Sequence, residues 1–484
     1  MRIPLSHPLR DCLIGGSLAV TVLSTAWSQA PEARPNIVLI VADDCGYADL
    51  SCYGRNDYQT PTLDRLALEG VRFSQAYAAA PVCSPTRAAL MTGRYPARSP
   101  VGLWEPLTAS KFDRTIGLLS DQPTVSSLLK ASGYATALIG KWHLGSRPEH
   151  HPNRHGFDEF FGTIEGAADY VSHVSPLGQL DLFHNQQPID RAGYLTDLLT
   201  EQAVAFISQP HAKPFFLSVQ YTAPHWPWQG PGDPPYPVPS NQRAANAAAQ
   251  GSTANNSPSR GGPAVWMSGG SAVTYAAMMQ RLDDGIGAIL ATLEKNGLRE
   301  NTLVIFTSDN GGEQFSKMDP FSGKKMQLWE GGIRVPAMMR WPGVLPAGVQ
   351  TNQVAITMDW TATILAVAHV QPHPDFPLDG INLLPICRGD TPVQSRTLAW
   401  RLFQRTQQKA LRQGDWKYLD DGKGEYLFNL ARDSGERRDH KTDDPQRFEE
   451  LKTLYRDWET HVLEPVTLEN IPRAMETDAK AKAG

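Results

Sequence analysis

Residues 36–44 read Asn-Ile-Val-Leu-Ile-Val-Ala-Asp-Asp, a run of aliphatic and β-branched side chains that stops at two carboxylates, Asp43 and Asp44. So short and continuous an apolar run reads as a buried strand, and the residues just past its end are charged. Three other runs repeat the arrangement. Ala135 to Ile139 leads to Lys141-Trp142-His143, Phe215 to Tyr221 leads to His225, and Leu303 to Thr307 leads to Asp309-Asn310. Long amphipathic stretches lie between them, the pattern of an α/β fold with a largely parallel sheet. In open sheets of that kind ligands bind beyond the carboxyl ends of the strands. The four clusters are therefore expected to converge on one site, although they span more than 260 residues.

Outward from these runs the chain reads as scaffold. Tyr275 to Asn296 carries Met278, Leu282, Ile286, Ile289 and Leu293 at helical spacing and stops at Gly297. Leu195 to Ile207 reads the same way, with Leu198, Leu199, Val204 and Phe206 facing a core. Residues 226–271 have no apolar period and are rich in Pro, Gly, Ala, Ser and Asn, the composition of a long functional or disordered loop. Trp226 and Trp228 directly follow His225 and are expected to form an aromatic rim over the site, with the distal part of the insertion mobile. After Val370 come Pro372, Pro374 and Pro377, then strand-like runs at Ala410 to Leu419 and Glu425 to Leu430, and an amphipathic helix from about Gln446 to Val462. The expected organisation is a catalytic unit over residues 31–370, a small α+β unit over 371–465, and a loose tail at 466–484.

Arg2 and Arg10 precede an uncharged, mostly apolar run from Cys12 to Trp27, followed by small residues around Ser28 and Ala30, the layout of a secretory signal over residues 1–30. The run is shorter than the ~20 residues of a membrane span, so an exported, periplasmic or extracellular protein without a membrane anchor is expected. Cleavage after Ala30 would leave Pro31 at the new terminus, and a cut after Ala26 is the alternative. Across 484 residues, 45 Lys plus Arg stand against 50 Asp plus Glu, so no electrostatic footprint for a nucleic-acid partner exists and any bound anion needs a local site. Apart from Cys12, the cysteines are Cys45, Cys52, Cys83 and Cys387, too few and scattered for a disulfide framework; a Cys45–Cys52 bridge stays open.

Cys83 is different in kind. In Cys83-Ser84-Pro85-Thr86-Arg87, Pro85 suits the first turn of a helix and Gly93 its end, which puts Cys83 at or just before a helix amino terminus. Backbone N–H groups there favour an anion, and Arg87, one turn in, can reach the same spot, so Cys83 is a nucleophile candidate. Asp43, Asp44, Asp309 and Asn310 offer only oxygen donors, which suit Ca²⁺ or Mg²⁺ rather than Zn²⁺.

The run from Cys83 to Arg94 resembles the Cys-x-Pro-x-Arg signature of the type I sulfatases, enzymes whose signature cysteine is oxidised to formylglycine. The resemblance extends through the stretches at 36–49, 140–145 (Gly-Lys-Trp-His-Leu-Gly), 155–162, 307–312 and 323–336, in the family's order, and it is nearest to the arylsulfatase and N-acetylgalactosamine-6-sulfatase branch. It implies an alkaline-phosphatase-like domain with a large, mostly parallel sheet flanked by helices and a smaller carboxyl-terminal α+β domain. It also implies hydrolysis of sulfate monoesters, aryl sulfates or sulfated glycans, by a formylglycine hydrate at position 83 through a covalent sulfo-enzyme intermediate. The implied metal is one Ca²⁺, held by Asp43, Asp44, Asp309, Asn310 and the modified Cys83.

By motif position the resemblance assigns further roles. Arg87 stabilises the formylglycine and a neighbouring carboxylate; Lys141 and His143 contact the nucleophile, with His143 the base that regenerates the aldehyde. His225 and Lys325 face the ester, and either could protonate the leaving group. Lys325 rather than Lys324 matches because it lies five residues before Glu330, which with Gly331 and Gly332 reads as scaffold. A formylglycine-generating or other sulfatase-maturing enzyme is the implied partner. His150, His151 and His155 lack closed-site metal spacing and are expected on a surface loop near the cleft; Cys45 reads as a small packing residue. The alternatives are a phosphonate or phosphate ester hydrolase of the same superfamily, and a glycan-binding protein with an inactive site.

Overall fold

Every residue of the strand Asn36–Ala42 is buried, as a run apolar on both faces requires of a strand inside a sheet. The computed structural model describes residues 34–108, 115–236, 263–403 and 406–466. The expected leader, the distal part of the 226–271 insertion and the tail beyond 466 lie outside the described residues.

The large sheet has eleven strands among the described residues. In chain order they are β1 (Asn36–Ala42), β2 (Val71–Tyr77), β3 (Ala135–Gly140), β4 (Glu159–Gly162), β5 (Phe183–His184), β6 (Gln187–Pro188), β7 (Phe215–Gln220), β8 (Thr302–Ser308), β9 (Arg334–Arg340), β10 (Val349–Thr351) and β11 (Ala355–Ile356). Their order across the sheet is β10-β2-β9-β8-β1-β7-β3-β4-β5-β6, with β11 also on β2. The central five, β8, β1, β7, β3 and β4, are mutually parallel; antiparallel β9 and β5 flank them. The four runs that end in ionisable residues are thus neighbours pointing the same way. Register makes the alignment close: Ala42 pairs with Ser308, Val41 with Gln220, and Gly140 with Gln220 on the other side.

Successive side chains of a strand point to opposite faces. Ile37, Leu39 and Val41 of β1 therefore pack with the helices Cys83–Thr92, Val125–Ala131 and Thr357–Val367, while Val38, Ile40 and Ala42 pack with Pro61–Leu68, Leu195–Ser208 and Ala272–Lys295. The last of these helices is capped by Ser271, whose hydroxyl accepts the N–H of Thr274, and it ends before Gly297. All five of its apolar positions read from the sequence are fully buried. At the end of β3, Gly140 has φ +123°, and a Cβ there would lie 1.9 Å from the Gln220 carbonyl oxygen; only glycine lets β3 close on β7 and turn into Lys141.

A second sheet of four antiparallel strands, β12 (Thr397–Leu402), β13 (Gln408–Gln413), β14 (Trp416–Asp420) and β15 (Glu425–Asn429), comes next in the chain. One face packs on the helix Pro445–Glu459 through Leu411, Tyr418, Leu427, Leu451 and Tyr455; the other packs on Tyr77, Ile333 and Met358 of the main body. The stretch from Ala410 to Leu419 is not one strand but a hairpin. Gln413 pairs with Trp416 across Gly414-Asp415, and Gly414 takes φ +57° at the first loop position.

Glu330 joins the two sheets. Its buried carboxylate accepts Tyr77 Oη at 2.6 Å and Arg334 Nη1 at 3.2 Å from the large sheet, and Lys417 Nζ at 3.0 Å from β14. Burial alone would raise this carboxyl, but Lys417, Arg334 and Arg412 hold it at about 2. Removing one partner of a buried ion pair leaves the others uncompensated, so Glu330→Gln is expected to cost about 3–5 kcal/mol in urea denaturation at neutral pH. Because the folded value lies below the ordinary 4.5, this contribution is complete above 4.5 and is lost as pH falls towards 2. The gap between wild type and variant should narrow over that interval.

Candidate active site

The parallel edge delivers its acids first. Beyond β1, Asp43 N donates to Ala223 O at 3.1 Å, and beyond β8, Asp309 N donates to Ala42 O at 3.2 Å, so the ladder continues into the site. Asp44 takes φ +64°, and its N–H donates to Asp309 Oδ1 at 3.1 Å. Asn310 Nδ2 donates to Asp44 Oδ1 at 2.7 Å. The acids are fixed to one another before any cation is considered.

Three cations answer them. Arg87 donates from Nε and Nη2 to Asp309 Oδ2 at 3.1 and 2.9 Å, and from Nη1 to Gln220 Oε1 at 3.0 Å and the Lys141 carbonyl at 3.2 Å. Lys141 Nζ lies 2.6 Å from Asp43 Oδ2, and Lys325 Nζ 2.7 Å from Asp44 Oδ2. Lys324, its neighbour, is exposed. Cys83 is the first residue of its helix; its Sγ sits 3.5 Å from Asp43 Oδ1 and 4.0 Å from Asp44 Oδ1. His225 Nε2 is 3.6 Å from Asp44 Oδ2. All ten candidate residues are buried.

Hydrogen bonds set the imidazole tautomers. His143 Nε2 faces the Leu107 carbonyl at 2.9 Å and must donate, which leaves Nδ1 a buried acceptor without a hydrogen-bond partner. His225 Nδ1 faces the Trp226 carbonyl at 2.5 Å and must donate likewise, leaving Nε2 towards Asp44. Both rings are pushed well below their ordinary range, His143 by burial and then Lys141, His225 by burial and then Lys325. They are neutral here.

The acids are not neutralised equally. Burial would raise Asp43, yet Lys141, His225 and Arg87 outweigh it and hold this carboxyl well below the usual range. Burial lifts Asp44 to about 7, with Asp43, Glu313 and Asp309 adding to it against Lys325. Burial and Asp43 lift Asp309 to about 6 against Arg87 and Lys141. Asp44 and Asp309 thus lack cationic charge, and beside them Asn310 Oδ1 is buried with no hydrogen-bond partner. Ligand-capable atoms of Asp43, Asp44, Cys83 and His225 lie within 4.8 Å of one another. An oxygen-dominated donor set with an orphaned carbonyl fits a hard divalent cation.

Above this floor opens a cavity of about 510 Å³, to which Cys83, His143, His225 and Lys325 contribute. Trp226, Leu107 and Met267 form apolar wall, and Glu165 and Glu313 supply carboxylates; Glu313 Oε2 stands 3.9 Å from Lys325 Nζ. Among the described residues, Trp226 alone forms the aromatic rim. Trp228 is buried in the core against Phe315, because the chain turns inward after Pro227. His150, His151 and His155 are not on a surface loop either. All three are buried: His155 stacks on Trp142, His151 meets Phe160 edge-on, and the His150 carbonyl accepts Trp142 Nε1. Two contributors escaped the sequence reading. Gln220, which orients Arg87, is an amide at the end of a mostly apolar strand, and Glu313 lies three residues past Asn310; those were the available signals.

If Asp44, Asp309 and Asn310 hold Ca²⁺, adding the ion to chelator-treated protein should raise the unfolding midpoint. At a hundredfold excess over Kd the gain is about 2.7 kcal/mol. Asn310→Ala should lose most of that calcium-dependent shift in a thermal melt.

A protein-family model described as Sulfatase matches residues 35–370. The N-acetylgalactosamine-6-sulfatase of Mus musculus is 35% identical over 392 residues, covering 76% of this chain and 69% of that one. The solved structure described as Ps i-CgsB matches with a TM-score of 0.78 and 30% identity over 92% of this chain and 98% of its own, and the same protein is solved in complex with k-i-k-neocarrahexaose. The phosphonate monoester hydrolase of Agrobacterium radiobacter shares the fold, with a TM-score of 0.61 at 21% identity over 88% of this chain and 96% of that one.

Proposed function

The chain belongs to the sulfatase family and is a sulfatase; from that premise we propose that it cleaves sulfated saccharides through a formylglycine made from Cys83, with Ca²⁺ held by Asp43, Asp44, Asp309 and Asn310. The observation that carries the reading is the position of Cys83: it opens a helix and lies within 4.0 Å of two carboxylates on the floor of the cleft. As a plain thiol it is a poor nucleophile, since burial pushes it well above its usual value and Asp309 and Asp43 add to that push, against Lys141 and Lys325. The hydrate of formylglycine would supply a hydroxyl able to attack sulfur, and Ca²⁺ held by Asp43, Asp44, Asp309 and Asn310 would supply positive charge to the site.

The remaining roles come from the chain's own atoms. Arg87 and Lys141 are held on Asp309 and Asp43, so they fix the geometry around residue 83. Lys325 reaches the cleft, and Asp44 keeps its ammonium charged although burial opposes it. It meets the sulfate oxygens and donates the proton to the departing alcohol. His225 serves that step less well, because its proton sits on Nδ1 and is bonded to the Trp226 carbonyl. The unpartnered Nδ1 of His143 accepts the proton released when residue 83 is regenerated.

Support for a saccharide comes from the relatives: one is named for a sulfated aminosugar, and one is solved with a carbohydrate in place. The leader-like residues 1–30 support export to the periplasm or outside, and maturation of Cys83 calls for a sulfatase-maturing enzyme. Among the described residues no helix is long and apolar enough to cross a membrane.

Peptide mass spectrometry of protein from the native host should show the Cys83 peptide about 18 Da light, the difference between CH₂SH and CHO. Cys83→Ala should lower turnover of p-nitrophenyl sulfate by at least about 10³-fold while moving stability by less than about 1 kcal/mol. Sulfate and phosphate esters of one aryl alcohol separate the phosphonate or phosphate hydrolase reading: the sulfate should be the better substrate, and dominant phosphodiester turnover would reverse the assignment. Unmodified thiol with binding but no turnover would mark an inactive glycan-binding protein.

A further inference from the structure

Beside the cleft over Cys83 lies a second cavity of about 450 Å³, whose walls include Ser146, Arg147, Gln179, Leu180 and Phe183. Glu165 belongs to the walls of both cavities. Between them stands a built ridge. Residues 174–180 form a tight hairpin in which Val174 bridges Leu180, and Ser175 N donates to Gln179 O at 2.7 Å. Pro176 and Leu177 line the first cavity; Ser175, Gln179 and Leu180 line the second. The other side of the ridge, Ile164-Glu165, is fastened by Asp181, which accepts their backbone N–H groups at 3.1 and 3.0 Å. The chemistry at Cys83 uses none of these residues.

We propose that the second cavity is a subsite for the neighbouring sugar of a glycan chain whose sulfated residue occupies the first, so that the enzyme prefers oligosaccharides to monosaccharides. This rests on the sulfated-saccharide reading above. A sugar ring presents a C–H face and a rim of hydroxyls, and the wall offers both complements. Leu180 and Phe183 supply apolar and aromatic surface, while Ser146, Gln179 and Arg147 supply polar groups. Arg147 is 46% exposed and its guanidinium lies 3.6 Å from Glu149, a surface pairing that a ligand can share or replace at little cost. Leu180 is 37% exposed at the open end of the hydrogen-bonded hairpin, opposite Val174, where a buried contact with a ring face would cover it. Because Asp181 and the hairpin hold the ridge, the two sugars would be held at a fixed spacing. Binding energy gathered at the second position would then help align the ester in the first.

The test is steady-state kinetics of the full mature chain and of an Arg147→Ala/Gln179→Ala double variant. The substrates are p-nitrophenyl sulfate and 4- and 6-sulfated N-acetylgalactosamine and galactose, each as a monosaccharide and at the end of a tetrasaccharide. Wild type should cleave at least one tetrasaccharide with kcat/KM about tenfold or more above its monosaccharide. The double variant should lose most of that ratio while p-nitrophenyl sulfate turnover stays within about twofold. Aryl sulfate turnover with no chain-length preference in any pair overturns the subsite and leaves the sulfatase reading standing. Equal losses on aryl sulfate and tetrasaccharide, or a tetrasaccharide preference untouched by the double variant, also overturn it. No turnover of any sulfate ester sinks the sulfatase reading itself, and the subsite with it.

Discussion

Three carboxylates and three cations are buried together at one edge of the sheet, and neither set is tolerable there without the other. An ion taken from water into a protein interior costs several kcal/mol even after relaxation, and Coulomb attraction repays it only where the geometry is good. Here the geometry is set by backbone. Asp43 and Asp309 leave adjacent parallel strands one residue past the paired Ala42 and Ser308, and Lys141 leaves β3 one residue past Gly140, which pairs with Gln220. A one-residue slip of any of these strands would separate an acid from its cation and turn the strand's core side chains to the wrong layer. Sheet register and site electrostatics are therefore the same constraint.

That coupling explains which parts were legible in the sequence. A continuous apolar run needs cover on both faces, cover on both faces implies a parallel sheet, and a parallel sheet brings its carboxyl ends together; the four clusters could be assembled from local patterns alone. Helices with a full apolar period, such as Ala272–Lys295, were equally visible. The loops beyond the clusters were not. Trp226 and Trp228 are two residues apart and of one type, yet one lines the cleft and the other is core, because a loop's direction depends on what it meets. The histidines at 150, 151 and 155 look like a polar surface cluster, but all three are buried, with His155 stacked on Trp142 and His151 edge-on to Phe160. The ridge between the two cavities is built on Asp181 and the Ser175–Gln179 turn, which no periodicity marks. The hairpin at Gly414-Asp415 did carry a turn signal, and the strand-like residues on either side of it masked it.

The second sheet does for the scaffold what the cation cluster does for the site. It lays an apolar face on the main body and then fixes its position with Glu330, where Tyr77, Arg334 and Lys417 meet. Glu330 is in turn the amino-terminal residue of the short helix Glu330–Ile333 that leads into β9, and Lys325 lies five residues earlier in the same connection. The segment carrying Lys325 to Asp44 is thus anchored at its far end by an ion pair to the small sheet. A group that must meet a charged substrate without reorganising is well served by such an anchor.

Charge then bears on which esters the cleft admits. Counting Glu313 beside Lys325 but not Glu165, which lines the cavity wall, the floor's own groups when all are ionised are four carboxylates against Arg87, Lys141 and Lys325, with both histidines neutral. With every carboxylate ionised, side chains alone leave the floor negative by one, which would repel a sulfate rather than hold it, and the raised values of Asp44 and Asp309 reflect that excess. A divalent cation bound there would reverse the sign and leave an excess of one positive charge, matched by a monoanion and overfilled by a dianion. Sulfate monoesters are monoanions at neutral pH, whereas phosphate monoesters are mostly dianions, so the balance favours the former before any shape is considered. Phosphodiesters and phosphonate monoesters are monoanions too, and charge cannot separate them from sulfate monoesters. They differ in carrying a second substituent on the central atom, so discrimination against them has to come from the shape of the cleft rather than from its charge.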